Sequence, residues 1–467
     1  MASTAVLTPR ERESAGKQAR SHSPRSRHRE WRSDENRPDP VDTLLQQDKT
    51  RVPALVPIRH GRMLASPFAF YRGGAAIMAA DLASCSSSGL QVQLCGDAHL
   101  SNFGVFMAPD RRLIFDINDF DETHEGPFEW DVKRLAASFA VAGRALGLKA
   151  SRRRTAIDAS VAGYRNEIRR LAQLRDLDVW YARVDVDALT QVAGALSAKR
   201  GRAVAKGVAK AERKDSLRAF AKLTRTDGNK VSIRGDPPLI MPIDELIQDG
   251  DDPSRIEAHI RGLLEAYRKT LSPDVRQLLD RYRYVDLAHK VVGVGSVGTR
   301  CWIVLMLGRD TEDPLFLQVK EADQSVLEPF TGRAAYRHQG RRVVEGQRLM
   351  QAASDIMLGW ISAEGVIDGK PRDFYVRQLW DGKGSAEIET MDAKGLQLYA
   401  TLCGQTLAHG HARSGDRIAI ASYLGGGDGF DKAICDFAHA YADQNERDYA
   451  EFSAAVESGR IEARTGL

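Results

Sequence analysis

A chain of 467 residues, 43% of them hydrophobic and 28% charged, is long enough for two core-forming units, or for one large bilobed domain with an insertion. The formal net charge of +4 is mild and mostly local, so nucleic acid is not an expected partner; no apolar run reaches membrane-spanning length, so neither is a membrane. Five cysteines without CxxC spacing, Cys85, Cys95, Cys301, Cys403 and Cys435, point to free thiols rather than a disulfide framework or a zinc site, and with no apolar leader at the start a soluble cytoplasmic protein is expected.

Residues 1–50 are rich in Arg, Ser and Glu without helical or strand periodicity, which predicts a disordered basic and polar tail. From Met63 to Leu82 the pattern turns amphipathic, with Ser66-Pro67 as a helix start. Arg59, Arg62 and Arg72 stand here; a guanidinium suits a phosphate clamp and suits a structural ion pair equally well.

The most chemistry follows. Leu94-Cys95-Gly96-Asp97-Ala98-His99-Leu100-Ser101-Asn102-Phe103 is an apolar strand end running into a loop, and after the turn Pro109–Arg112 a second apolar strand runs from Leu113 into Asn118-Asp119-Phe120-Asp121. A loop Asp can take the proton of a substrate hydroxyl, while an Asn oxygen and a further Asp hold magnesium, a hard cation that prefers oxygen ligands. Asp97, Asn102 and Asp119 are therefore the catalytic candidates, and Asn102, Asp119 and Asp121 the metal ligands, with Asp116 a rival of Asp121. A helix begins at Phe128 and carries Asp131 in its first turn.

Residues 150–285 read as mostly helical, over 152–175, 199–225, 253–270 and 273–283, with an extended Pro-bearing stretch at 231–243. The Lys- and Arg-rich run 199–225 is read as a solvated helix face. Three strands are then expected at 285–292, 300–307 and 315–320. The first turn between them, Gly293-Val294-Gly295-Ser296-Val297-Gly298, fits GxGxxG, but the bulky run Cys301–Met306 that follows favours a strand over the helix a dinucleotide fold requires. A β-hairpin lid is expected, with Gly293, Gly295, Ser296 and Gly298 letting backbone N–H groups approach phosphate oxygens. A helix at 333–353, a strand at 373–379 and a helix at 391–413 complete the reading; His409 and His411 in the last do not share a helix face, which argues against a metal pair.

Gly96-Asp97-x-His99-x-x-Asn102 followed by Ile117-Asn118-Asp119-Phe120-Asp121 resembles the catalytic loop and metal-binding Asp of the aminoglycoside and choline kinase branch of the protein-kinase-like superfamily. With Ser66–Gly73 and Val291–Gly298, the same loop resembles the uncharacterised bacterial family called domain of unknown function 2252, over roughly residue 50 to the C-terminus. The kinase resemblance implies that Lys320, ending its strand, pairs nucleotide phosphates and an acidic residue on the next helix, Glu345, with Glu321 and Glu328 as rivals. It also implies that Asp131 hydrogen-bonds the catalytic-loop backbone and that the strand 373–379 supplies backbone groups to an adenine ring.

The parts stand in rotated order, catalytic loop first and the long helix that normally precedes it last. The expectation is an α+β, bilobed protein-kinase-like fold, circularly permuted, with a small β-rich lobe and a larger helical lobe. Its parts are the tail 1–50, a helical lobe with the catalytic loop at 51–283, the β-rich lobe at 284–390 and returning helices at 391–467. The expected function is ATP- and Mg2+-dependent phosphotransfer to a hydroxyl-bearing small molecule. The alternatives are a nucleotidyl transferase or protein kinase, a catalytically silent nucleotide-binding scaffold, and metal-dependent hydrolysis by the Asp and His residues alone.

Overall fold

Six antiparallel strands build the largest sheet, in the order Gly359–Glu364, Pro371–Gln378, Pro314–Glu321, Cys301–Leu307, Arg283–Lys290 and Ile240–Pro242. The computed structural model describes residues 7–33, 36–228, 230–246, 253–364, 370–379 and 382–466, and the fold is mixed α+β, with 54% helix and 16% strand. Strand side chains alternate between faces, so the sheet has two distinct apolar surfaces. Val304, Met306, Leu315, Leu317, Phe374 and Val376 pack with Tyr267, Leu271, Val275 and Leu279 from the helical stretch before the sheet. On the other face Ile303, Leu305, Phe316 and Leu379 pack under Ala219 and Leu223 of the helix Ser216–Leu223, with Ile233. Lys320 is paired with Tyr375, and Gln318 with Arg377, so these four belong to the second face, in line with Phe316 and Leu379.

The helix Gln339–Met350 lies against the first two strands of this sheet. A side chain at Gly340 would sit 2.1 Å from the Phe374 carbonyl oxygen, so the helix start is admitted only because the residue has no Cβ.

The main helical core is made by Glu129–Ala145, Ala150–Leu171, Ala393–Ser414 and Gly429–Glu457. Glu129–Ala145 is alanine-rich, which suits both helix propensity and close packing, and it is buried on nearly every side. Ala393–Ser414 and Ala150–Leu171 touch backbone to backbone where Gly404 faces the Ser160 carbonyl.

Two small sheets join these parts. Gln91–Leu94 pairs antiparallel with His124–Pro127, and the hairpin Phe103–Met107 with Leu113–Ile117 is flanked by Gly384–Ser385 and Val184–Asp185. The segment 95–123 thus begins and ends at one paired edge, which brings Asp97 and the Asp119–Asp121 stretch together. Four of the five cysteines are buried and Cys85 is half-buried, all free. Among the described residues no helix is long and apolar enough to cross a membrane.

The N-terminal stretch departs from expectation. Instead of a disordered tail, Pro9–His22 is a helix opened by a capping box between Thr8 and Glu11, and Pro40–Asp48 is a second helix. His28 is fully buried with Nε2 2.6 Å from the Tyr423 hydroxyl, and Arg37 joins Asp81 and Asp448. The tail is held by tertiary partners that its polar composition does not advertise; residues 1–6, 34 and 35 lie outside the described residues. Elsewhere the expected strands are found at Arg283–Lys290, Cys301–Leu307, Pro314–Glu321 and Pro371–Gln378, while the strand Gly359–Glu364 was not expected.

Candidate functional site

The loop after Gln91–Leu94 is held from below by one carboxylate. Asp131 accepts hydrogen bonds from the backbone N–H of Cys95 at 2.8 Å and of Gly96 at 3.1 Å, and lies 3.2 Å from His411 Nε2. This is the loop-supporting role the resemblance implies for Asp131. Gly96 takes φ +86° with its Cβ position 2.2 Å from the Glu122 carbonyl oxygen, so the loop turns here only as glycine.

Asp97 is thereby set at the rim. Arg134, one helical turn beyond Asp131 and so on the same helix face, donates to Asp97 Oδ1 from Nε at 2.9 Å and from Nη2 at 2.7 Å. The other oxygen, Oδ2, lies 3.6 Å from His99 Nε2. Asn102 donates its amide N–H to the Asp97 carbonyl at 2.8 Å, which turns its amide oxygen the opposite way.

The back half of the chain meets this loop through an ion pair. Lys320 Nζ lies 2.5 Å from Asp121 Oδ2, and Tyr375 donates its hydroxyl hydrogen to Asp121 Oδ1 at 2.6 Å. Ser296 of the glycine turn donates to Asp121 Oδ2 at 3.3 Å, and the Asp121 N–H reaches Asp119 Oδ1 at 3.3 Å. Arg377 donates to the Asn118 carbonyl at 3.3 Å. Residues nearly two hundred apart in sequence therefore share one polar cluster.

Burial opposes charge on all three central groups, and their neighbours decide the outcome. It works against ionised Asp121, but Lys320 and Tyr375 outweigh it and hold that carboxyl below the usual range. Burial, then the charge of Asp121, pushes Asp119 up against the pull of Lys320 and Arg377. Lys320 stays protonated because Asp121, foremost among its partners, outweighs the burial that works against its charge. Burial works against the charge of Arg72, with Asp97, Glu389 and Asp119 in its favour, and its Nε is buried with no hydrogen-bond partner among the described residues. A guanidinium N–H left unsatisfied between two acidic groups is an opening for an anion's oxygen.

The glycine turn is a hairpin connection followed by a strand, as its sequence implies, but it is docked rather than open. Arg62 donates to the Gly293 carbonyl, Arg51 to the Val297 carbonyl, and the Val52 N–H to the Gly298 carbonyl. Val297 is fully buried with Leu55 and Ile58. Gly293 and Gly298 have φ of +70° and +90°, and a Cβ on Gly295 would lie 3.3 Å from the Arg72 carbonyl oxygen. Ser296 is the turn residue that points into the cluster.

Three expectations are corrected. Glu345 is not the partner of Lys320: it lies 3.7 Å from Arg341 and 4.0 Å from Arg348, on the outer side of its helix. The inner side is fixed by Arg342, which donates to the Asp121, Thr123 and Asp323 carbonyls, so Asp121 takes the lysine instead. Of the rivals, Glu321 pairs with Arg300 and Arg372. The strand 373–379 does not offer the backbone donors expected at its end, since the Gln378 N–H is given to Asp355 Oδ2 and the Leu379 N–H to the Phe316 carbonyl. Asp116 is turned away toward His409 and Arg413, with burial pushing it up to about 6.

Arg134, Tyr375 and Arg377 escaped the sequence reading. Strand alternation from Lys320 and its cross-strand partners could have found Tyr375 and Arg377, and helical spacing from Asp131 could have found Arg134. Lys383, half-buried beside Arg377, left no signal.

A family model described as an uncharacterized protein conserved in bacteria, DUF2252, matches residues 51–455. No curated protein and no solved structure gives a match to the chain.

Proposed function

We propose, from the premise that the chain belongs to the DUF2252 family, that it is an ATP- and magnesium-dependent phosphotransferase acting on a hydroxyl-bearing small molecule, built on a circularly permuted kinase-like scaffold. The observation that carries the reading is the pairing of Lys320 with Asp121 beside Asp119, Asn102 and Asp97, because it places a buried ammonium from one half against acidic oxygens from the other. That is the charge pattern phosphoryl transfer needs, where catalysis is mostly positioning and neutralisation.

In this reading Asp97 orients the acceptor hydroxyl and takes its proton, with Arg134 occupying Oδ1 and leaving Oδ2 for the substrate. Asn102 and Asp119 supply hard oxygen donors that fit magnesium, whereas Asp121 is committed to Lys320. Bound there, the metal would supply charge neutralisation on the phosphates. Lys320, Ser296 and the unsatisfied Arg72 N–H would contact phosphate oxygens, Lys320 with the donors it does not give to Asp121.

A second reading is a catalytically silent nucleotide-binding scaffold, and both readings meet one obstacle. The sheet face beyond Lys320, where a flat base would lie, is covered: Cys301, Ile303 and Phe316 are at most 1% exposed beneath Ala219 and Leu223. Turnover of labelled ATP against a panel of small-molecule alcohols separates the two. Asp97→Asn and Asp119→Asn are each expected to lower turnover by about 100-fold or more, and Asp97→Asn also to lower the melting temperature, because the buried Arg134 loses its counter-charge while the chain still folds. Unchanged turnover in these folded variants overturns the reading, and no transfer by the native chain with ATP-dependent thermal stabilisation supports the scaffold.

A further inference from the structure

The polar cluster is not the only place where the described residues could hold a ligand. An open cleft is lined by Asn118 and Arg377 but by none of Asp97, Asp119, Asp121 or Lys320. Its walls are the hairpin Phe103–Met107 with Leu113–Ile117 and its turn, the end of the helix Gln339–Met350, the loop Ser354–Ile356, and Gln378 with Lys383.

The charge of this cleft is one-sided. Arg111, Arg377 and Lys383 line it, and among the described lining residues Asp355 is the one carboxylate. Both Asp355 oxygens are already used, accepting from the Met357 N–H at 2.8 Å and the Gln378 N–H at 2.5 Å. Arg377 spends Nε on Gln318 at 2.9 Å and Nη1 on Asn118, while Lys383 reaches only the Gln378 carbonyl, at 3.5 Å. Cations gathered in a concave, partly desolvated space repel one another unless an anion joins them. Phe106, Met107, Pro109 and Ile356 add an apolar wall, and Ile356 is 41% exposed.

We propose that this cleft binds a small molecule carrying a carboxylate or phosphate on an apolar body, with Lys383 and Arg377 holding the anion and Phe106 and Ile356 the body. The site shares Arg377 and Asn118 with the edge of the polar cluster, but it needs neither nucleotide nor metal there and so does not rest on the phosphotransfer reading. Lys383 gives it a pH signature. Burial, then Arg377, lowers its amine to about 7, with Lys320 acting in the same direction and Asp355 and Asp119 against it. An anion favours the charged amine, so binding takes up a proton, and affinity falls as pH rises above about 7.

Calorimetry of the full chain with phenylacetate and, separately, with phenyl phosphate tests this, the two arms telling carboxylate from phosphate. At least one is expected to bind, with Kd rising roughly tenfold in Lys383→Met. Affinity of the native chain should weaken steadily from pH 6.5 to 8.5. Mass-spectrometric mapping of acetic anhydride labelling on the native chain is the check that needs no variant: the bound anion should protect Lys383. Absence of binding by both probes, or binding that leaves Lys383 labelling and the Lys383→Met affinity unchanged, overturns the proposal. Loss of phenyl phosphate binding in Lys320→Met but not in Lys383→Met assigns that ligand to the polar cluster instead, and equally overturns it.

Discussion

Asp119 and Asp121 stand two residues apart and are both half-buried, yet among the described residues only Asp121 meets a cation at contact distance. The difference sets what each can do: Asp121 is bound in structure, and Asp119 is the carboxylate for which a metal would substitute for a missing counter-charge. Breaking the pair from one side leaves the half-buried Asp121 carboxylate without its cation, so Lys320→Met should cost about 1–3 kcal/mol, whereas Lys320→Met with Asp121→Asn should recover most of that. Urea unfolding of the two variants measures the difference; equal losses would mean that the pair is not coupled. Next door, burial raises Glu122 to about 7 although it accepts the Val326 N–H. Its folded value lies above the ordinary 4.5, so the unfolded chain loses that proton first and stability falls as pH rises from about 4.5 to about 7. Glu122→Gln should flatten this slope in unfolding titrations at pH 5, 6 and 7. Asp97, Asn102, Asp119 and Lys320 were legible because loop and strand chemistry is local; the Lys320–Asp121 match was not, since 199 residues separate the partners and nothing in either neighbourhood encodes the choice over Glu345.

The helix Ser216–Leu223 shows how composition can hide a face. Within the basic run 199–225 its lysine and arginine suggest a solvated surface, but Ala219 and Leu223 are buried against the sheet while Leu217 is half exposed on the other side. A turn capped by Asp215, whose carboxylate accepts the Arg218 N–H at 2.8 Å, separates it from the preceding helix Ala198–Glu212. It covers the same sheet face that carries Lys320, so under the phosphotransfer reading it must lift for a base to lie there. Leu223→Ala removes packing worth about 2–5 kcal/mol and should loosen the helix locally. The expected result is tighter binding of Mg-ATP, by about tenfold, with faster amide exchange over 216–223 and greater reactivity of the buried Cys301. Faster exchange with unchanged nucleotide affinity would place the base away from this face. The strands beneath were readable because apolar period-two runs survive any partner; the covering helix was not, because its two anchoring residues are a minority among charges.

The molecule as a whole is closed by a stretch that precedes the residues matching the family model. Arg37 donates Nε to Asp81 at 2.7 Å and Nη2 to Asp448 at 2.6 Å, tying the N-terminal stretch to the helix Ala75–Ala83 and to Gly429–Glu457. Asp81 and Asp448 are 3% and 2% exposed, and the arginine is the positive charge that faces both in the interior. Tyr441 and Gln444 add hydrogen bonds to the two carboxylates without adding charge. Arg37→Ala therefore leaves two like charges facing each other out of water, and should destabilise the fold by about 3–5 kcal/mol at neutral pH. The loss depends on pH in a set direction. Burial already raises the Asp81 carboxyl against the pull of Arg37; without the guanidinium it rises further, so the unfolded chain releases that proton first and the deficit grows as pH rises above the ordinary carboxylate range. Urea unfolding of the native chain and of Arg37→Ala at pH 4.5 and pH 7.5 measures it. A gap that widens with pH shows the first 50 residues to be a structural clamp on the family fold; an equal gap at both would mean that packing around Arg37, and not the paired carboxylates, holds the stretch in place.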